Sequence, residues 1–270
     1  MNFWTQSKNN IFVAAHRGWC SEYPENTIPA FKAAIELGVD QIELDVRATK
    51  DGELIIIHDA DVKRTTNASG PVCEMTLDEI RSLDAGSYMS EKFKGTRIPT
   101  FIEFMDLIRN HPTLTVDIEL KEYPEAAGNE ARAYEVCDKI LAIVDEYGYT
   151  DRVVINSFSN PLNEYVHKKY GKKYRQHVFY PINSMHGQMT ENPYSYAYCA
   201  CMFRAFYNEL NMASKDECEK MASLGVEPWA GACVSDARGV DAAINNGMTL
   251  ITCNNPDVIL NLLRERGYHK

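Results

Sequence analysis

Short apolar runs alternate with longer amphipathic segments from end to end of this chain, and no other feature limits its fold as much. The runs are 11–15, 41–46, 54–58, 115–119, 153–156, 175–179, 198–203, 226–230 and 249–252. Helical patterns lie between most of them, at 29–37, 129–147, 161–170, 215–224, 240–246 and 256–266. Such alternation specifies repeated strand–helix units around a parallel sheet. The nine runs are one too many for an eight-stranded barrel. The surplus run is 54–58, separated from Val46 by only seven residues, too few for a crossover between parallel strands. Asp51-Gly52 lies within that gap and signals a two-residue hairpin turn. The run 54–58 is therefore expected to fold back antiparallel on the second strand. Eight parallel strands remain, which predicts an α/β fold, a TIM (β/α)8 barrel.

At 270 residues the chain fits one such barrel, read as a single catalytic domain over 1–270. Residues 59–99 then form an insertion after the second strand and its hairpin, emerging beside the barrel mouth. It carries a helical segment at 76–83, where Thr76 and Glu79 stand in the capping-box relation. The segment 181–198 is rich in Asn, Ser, Met and Tyr and is expected to form a long loop over the mouth.

Charge excludes one class of partner. The chain has 28 basic and 38 acidic residues and a net charge of −10, without the basic footprint a nucleic-acid binder needs. No 18-residue apolar run exists, so no stable membrane insertion is expected. The first ten residues are polar and the run 11–15 is too short for the apolar region of a signal peptide. A cytoplasmic protein is expected. Its eight cysteines, with no Cys-x-x-Cys among them, read as free thiols, mostly buried.

The chemistry-bearing residues fall at strand ends. In Glu43-Leu44-Asp45 both carboxylates face one side of a strand and Leu44 faces the other. Two like charges about 7 Å apart on an inward face need compensation, which a divalent cation supplies. A pair of half-exposed surface carboxylates is the plain alternative. With Asp51-Gly52 as a two-residue turn, His58 falls directly across from Asp45, with Cβ atoms about 5 Å apart; a bulge would shift that register by one. His16-Arg17-Gly18 ends the first strand, where barrel chemistry sits. Arg17 offers a planar fork for a phosphate or carboxylate. Glu119-Leu120-Lys121 repeats the alternation, placing a Glu and a Lys at the same mouth. Carboxylate oxygens suit Mg²⁺ or Ca²⁺, cations suit an anionic substrate, and two His suit acid and base roles. Together they describe metal-assisted cleavage of a phosphate ester.

The order His16-Arg17-Gly18, Pro24-Glu25-Asn26-Thr27, Glu43-Leu44-Asp45 and His58-Asp59 strongly resembles the glycerophosphodiester phosphodiesterase family. That family stands among the phosphatidylinositol phospholipase C-like TIM-barrel phosphodiesterases. Further matches are Thr76-Leu77-Asp78-Glu79-Ile80, Ile98-Pro99-Thr100, Glu119-Leu120-Lys121 and Ser157-Phe158. The resemblance spans 11–263. It implies a TIM barrel with an insertion after the second strand, and hydrolysis of glycerophosphodiesters to sn-glycerol 3-phosphate and an alcohol. Glu43, Asp45 and Glu119 match the family's metal ligands for one Mg²⁺ or Ca²⁺. His16 matches its base and His58 its acid, while Arg17 and Lys121 match its phosphate-holding groups. Asn26 reads either as a helix N-cap, with Thr27 as the alternative cap, or as a substrate contact. Trp229 resembles the aromatic near the organic part of the substrate, with a plain core Trp as the alternative.

The C-terminal third departs from the pattern. The family usually shows Trp-Thr-Val-Asn where this chain has Trp229-Ala230-Gly231-Ala232, and Thr-Asp-x-Pro near Thr252-Cys253-Asn254-Asn255-Pro256. These departures leave the alcohol group open. The attacking oxygen could come from water or from the substrate's own glycerol hydroxyl. An intact lysophospholipid ranks behind a water-soluble diester, since no Lys-rich amphipathic segment marks a docking face. A silent binding barrel ranks last, since every residue the chemistry needs is present.

Overall fold

The computed structural model describes residues 4, 11–126, 128–204 and 210–270. Its sheet runs β1 (Phe12–His16), β2 (Gln41–Ala48), β3 (Leu54–Ile56), β4 (Thr115–Leu120), β5 (Val153–Asn156), β6 (Arg175–Tyr180), β7 (Cys199–Met202), β8 (Glu227–Ala230) and β9 (Leu250–Cys253). The spatial order is β1-β9-β8-β7-β6-β5-β4-β2-β3, and β1 also pairs with β2. All pairings are parallel except β2–β3. Without β3 the sheet closes into an eight-stranded parallel barrel, a TIM barrel.

The helices are α1 (Ile28–Leu37), α2 (Leu77–Arg81), α3 (Phe101–Ile108), α4 (Glu130–Glu146), α5 (Asn160–Tyr170), α6 (Lys215–Ser223), α7 (Ala237–Asn245) and α8 (Pro256–Glu265). Pro29, Pro161 and Pro256 occupy first-turn positions, where a missing N–H costs nothing. The sequence reading assigned no helix at α3. Its signal is there: Thr100 and Glu103 form a capping box, and Phe101, Phe104, Met105 and Ile108 bury one face. Phe104 meets Phe31 of α1 edge to face at 4.9 Å. Between β6 and β7 the described chain holds only two short 3₁₀ turns, Ile182–Ser184 and Pro193–Ser195. That segment is pinned beside the mouth, where His186 N–H donates to Phe158 O and Asn160 N–H donates to His186 O.

The hairpin differs from its expected register. Val46 faces Ile56, Arg47 faces Ile55 and Ala48 faces Leu54. The loop has three residues, Lys50-Asp51-Gly52: Gly52 N–H donates to Thr49 O, and Gly52 takes the left-handed conformation at φ 81°. A type I turn closed by a left-handed glycine is the standard three-residue solution. The extra residue shifts the pairing by one, so Ile57 N–H donates to Asp45 O and His58 lies beyond the strand end. The insertion builds its own small core on this hairpin from Ile55, Ile57, Val62, Val72, Ile80, Ala85 and Ile98.

Inside the barrel, Ala14, Val154, Cys199, Trp229 and Leu250 form an apolar plug with Trp4. Trp4 Nε1 donates to Gln41 Oε1 at 2.7 Å. Trp229 is 1% exposed, with its ring 6.4 Å from Trp4 and 5.2 Å from His177. Its strand parity sends it into the plug, the core position that stood as the alternative to a substrate contact. No helix among the described residues is long and apolar enough to cross a membrane. The eight cysteines carry no disulfide, and five of them are buried.

Candidate active site

A cavity of about 230 Å³ opens at the C-terminal ends of the strands. Its lining divides in two. His16, Arg17, Glu43, His58 and Glu119 form an ionic half, and Phe158, Phe179 and Phe203 form an aromatic half. The three rings stack in parallel, Phe158 on Phe179 at 3.8 Å and Phe179 on Phe203 at 6.0 Å.

The first strand ends in a turn that forces side chains into this cavity. Arg17 and Gly18 both adopt positive φ, 57° and 80°. For Gly18 the need is double, because a Cβ there would stand 2.8 Å from Ala30. For Arg17 the conformation is strained, and its backbone N–H is held by Glu43 Oε2 at 3.1 Å. Its guanidinium reaches Glu25 Oε1 at 2.9 Å and Asp45 Oδ2 at 3.2 Å.

The two histidines are wired oppositely. His16 Nδ1 lies 2.6 Å from Asn254 Oδ1. An amide oxygen accepts, so Nδ1 carries the proton and Nε2, 3.8 Å from Glu43 Oε2, presents a lone pair. Burial, helped by the Arg17 charge, lowers the His16 pKa to about 4. His58 Nδ1 instead meets a carboxylate, Asp59 Oδ1, at 2.5 Å. Burial still lowers its pKa against the upward pull of Asp45 and Asp59, so desolvation outweighs the neighbouring carboxylate expected to favour the imidazolium. Arg64 of the insertion clamps Asp59 Oδ2 at 2.6 Å and Glu25 at 2.7 and 2.8 Å. One guanidinium thus bridges the partner of His58 and the partner of Arg17. Arg47 adds a backbone tie, donating to His58 O and Lys121 O, each at 2.9 Å.

Glu43, Asp45 and Glu119 bring ligand atoms within 4.8 Å of one another, all buried. Burial, then the charges of Asp45 and Glu119, raises the Glu43 pKa well above the carboxylate range. Burial raises that of Glu119 to about 7. Asp45 is lowered to about 2, because Lys121 and Arg17 together overcome its burial. Lys121 Nζ lies 2.6 Å from Glu119 Oε1 and 3.3 Å from Asp45 Oδ1. The second distance is charge proximity without hydrogen-bond alignment, since Asp45 Oδ1 has no hydrogen-bond partner. The cluster thus holds more negative charge than its cations answer. An all-oxygen donor set with an unpartnered buried carboxylate oxygen fits a hard divalent cation. Lys121, expected at the phosphate, is here spent on the carboxylates.

Asn26 resolves its two readings in neither direction. The cap of α1 is Thr27, whose side chain accepts from Ala30 N–H. Asn26, at φ 56°, donates from Nδ2 to Asp45 Oδ2 at 2.7 Å and orients that carboxylate. Sequence reasoning missed Asn254, Arg64, Arg47 and the group Asp117, Asn156 and His177. The last three point inward by strand parity, a signal legible once the strands are placed.

Residues 16–216 match the model of the glycerophosphoryl diester phosphodiesterase family. A glycerophosphodiester phosphodiesterase of Caldanaerobacter subterraneus subsp. tengcongensis is 37% identical over 264 residues, covering 94% of this chain and 98% of that protein. Mouse glycerophosphodiester phosphodiesterase 1 is 27% identical over 241 residues, covering 82% of this chain and 71% of that protein. Among solved structures, a glycerophosphodiester phosphodiesterase from Agrobacterium tumefaciens superposes with a TM-score of 0.72 at 23% identity, over 92% of this chain and 98% of that one. An Oleispira antarctica phosphodiesterase in complex with the product sn-glycerol-3-phosphate superposes at 0.77 and 20% identity, over 94% and 96%. The fold is shared with these structures, and the chain belongs to the glycerophosphoryl diester phosphodiesterase family.

Proposed function

We propose that this chain is a cytoplasmic glycerophosphodiester phosphodiesterase that releases sn-glycerol 3-phosphate and an alcohol. One observation carries the reading: a neutral His and a carboxylate-paired His share one cavity mouth with three buried carboxylates. Glu43, Asp45 and Glu119 would hold one Mg²⁺ or Ca²⁺, which when bound neutralises charge on the phosphoryl oxygens. Arg17 faces the cavity and contacts the phosphate, with Lys121 contributing positive charge from behind the carboxylates. His16, neutral with Nε2 unprotonated, takes the proton of the attacking oxygen as the new P–O bond forms. His58 gives its proton to the departing alkoxide as the old P–O bond breaks. Asp59 fixes the His58 ring through Nδ1 and pulls against the burial that lowers its pKa, favouring the imidazolium, the form from which Nε2 gives up a proton.

The test supplies glycerophosphoethanolamine and glycerophosphocholine with Mg²⁺ or Ca²⁺ and follows the phosphorus by NMR. Accumulation of glycerol 3-phosphate is expected, and its absence with both cations overturns the reading. A transient cyclic phosphate would identify the glycerol hydroxyl as attacker, and direct appearance of product would identify water. His58→Ala should lose about 10²–10⁴-fold on these alkyl diesters and recover most of it on a p-nitrophenyl diester, whose leaving group needs no proton.

A further inference from the structure

Behind Lys121 lies a second cavity that the reaction above does not use. It measures about 550 Å³, within the range of small-molecule sites. Ala60, Val72 and Cys73 of the insertion line it, with Tyr123, Arg47 and Arg132. Lys121 separates the two cavities: it lines this one, while its Nζ is held by Glu119 of the first. Arg47 is half-buried and bonds only to backbone, from Nε to His58 O and from Nη1 to Lys121 O. Among the described residues no carboxylate pairs with it. Arg132 reaches across from α4 to the two carbonyls that follow Arg47, donating from Nη2 to Ala48 O and Thr49 O at 2.7 and 2.8 Å. Its one carboxylate, Glu122, stands 3.8 Å from Nε without a hydrogen bond and is itself spent on Ala48 N–H and Asn129 Nδ2. Arg47 Nη2 and Arg132 Nη1 are therefore left with no acceptor among the described residues, and neither is sealed from solvent.

A half-buried guanidinium without a counter-charge is costly, and here it occurs in a chain of net charge −10. Two guanidinium groups at one cavity match the oxygens of a phosphate, which such planar forks bind in pairs. Two cations against one carboxylate leave a positive surplus, so the occupant is an anion. The cavity is also larger than a phosphate ion, and Ala60, Val72 and Tyr123 give it an apolar and aromatic wall for an organic group. We propose that this cavity is a second binding site, for a phosphate monoester held by Arg47 and Arg132. Because Arg47 also holds the carbonyls of His58 and Lys121, one side chain links the occupant to the proposed acid.

The experiment reads the cavity directly and needs no turnover. Cys73 is exposed on the insertion and lines the cavity, so its alkylation by N-ethylmaleimide, mapped by peptide mass spectrometry, reports occupancy. Phenyl phosphate is the probe, with inorganic phosphate and phenol as the other arms. Phenyl phosphate should slow labelling of Cys73, inorganic phosphate should do so only at higher concentration, and phenol should not. Equal potency of the two phosphates overturns the monoester in favour of free phosphate. No protection by either, or equal protection by phenol, overturns the site altogether. Arg132→Met keeps the aliphatic stem and should raise the half-protecting concentration about tenfold or more, as loss of a hydrogen bond to a charged group does. Glu43→Gln should leave protection intact, and its loss there would place the anion at the first cavity and overturn the second. If Arg132→Met does not fold, the unaltered protein decides. Iodoacetate, an anion, should gain on neutral iodoacetamide at Cys73 relative to free cysteine, and the gain should fall as salt rises. A ratio no higher than that of free cysteine overturns the site.

Discussion

An imidazole that takes a proton must be neutral when substrate arrives, and His16 is kept so by burial and by Arg17. Asn254 adds orientation without charge: its oxygen selects the tautomer with Nε2 unprotonated. A carboxylate at that position would also accept from Nδ1 but would stabilise the imidazolium. The sign follows. With a pKa of about 4, His16 is neutral at every pH above about 5, so its titration leaves kcat/KM level through the mildly acidic range. Asn254→Asp should raise the pKa by a unit or more and move the acidic limb of the kcat/KM profile up by the same interval. Profiles on a p-nitrophenyl diester, whose leaving group needs no proton, would isolate the effect. An unmoved limb in the variant would remove His16 as the base. Asn254 was not readable from the sequence as a contact, because it lies 238 positions from His16 and only barrel closure brings the two together. Its stretch was readable as a departure from the family pattern, and that departure falls on the partner of the proposed base.

At the scale of elements, the strands and their ends were legible because a buried parallel strand must be apolar along most of its length. Glu43, Asp45 and Glu119 stood out against that background. The hairpin was legible in direction but misread in register. Asp51-Gly52 serves a two-residue turn or, with Lys50, a three-residue one, and the choice shifts every pair by one. Helix α3 was passed over despite its capping box. The insertion was legible as a unit, but its route into the site was not. That route is Arg64, reaching Glu25 and Asp59 together. Arg64→Met keeps the aliphatic stem and removes the fork. It should lower kcat about tenfold on alkyl diesters, with a smaller loss on p-nitrophenyl diesters, because Asp59 no longer holds the His58 ring. In a His58→Ala background the substitution should cost little more. Equal losses on both substrate types would place the effect on the Glu25–Arg17 side instead.

On the scale of the whole molecule, the site and the fold share one set of carboxylates, so the cation cluster should govern stability as well as turnover. Glu119 has a folded pKa of about 7 against 4.5 in the unfolded chain, and Glu43 is raised in the same direction. The folded protein therefore holds more protons than the unfolded chain between pH 4.5 and about 7, and the metal-free protein loses stability as pH rises through that window. The two raised carboxylates face each other in one cluster, so they act on stability together and in the same direction. His16 acts oppositely: its pKa falls from 6.5 to about 4, so its contribution is lost as pH falls through that range. His16 offsets one raised carboxylate, and the second, with Glu43 raised well above its ordinary value, leaves the carboxylates dominant. Metal-free protein should thus melt higher near pH 5.5 than at pH 8. A divalent cation answers the same charges once they are ionised, so Mg²⁺ or Ca²⁺ should raise Tm at pH 8 and do little at pH 5. In Glu43→Gln the fall in Tm from pH 5.5 to pH 8 should shrink and the cation response at pH 8 should vanish, while the barrel stays folded. Calorimetric scans with chelator and with each cation measure all of this, and a cation response that survives in the Gln variant would place the ion elsewhere in the molecule.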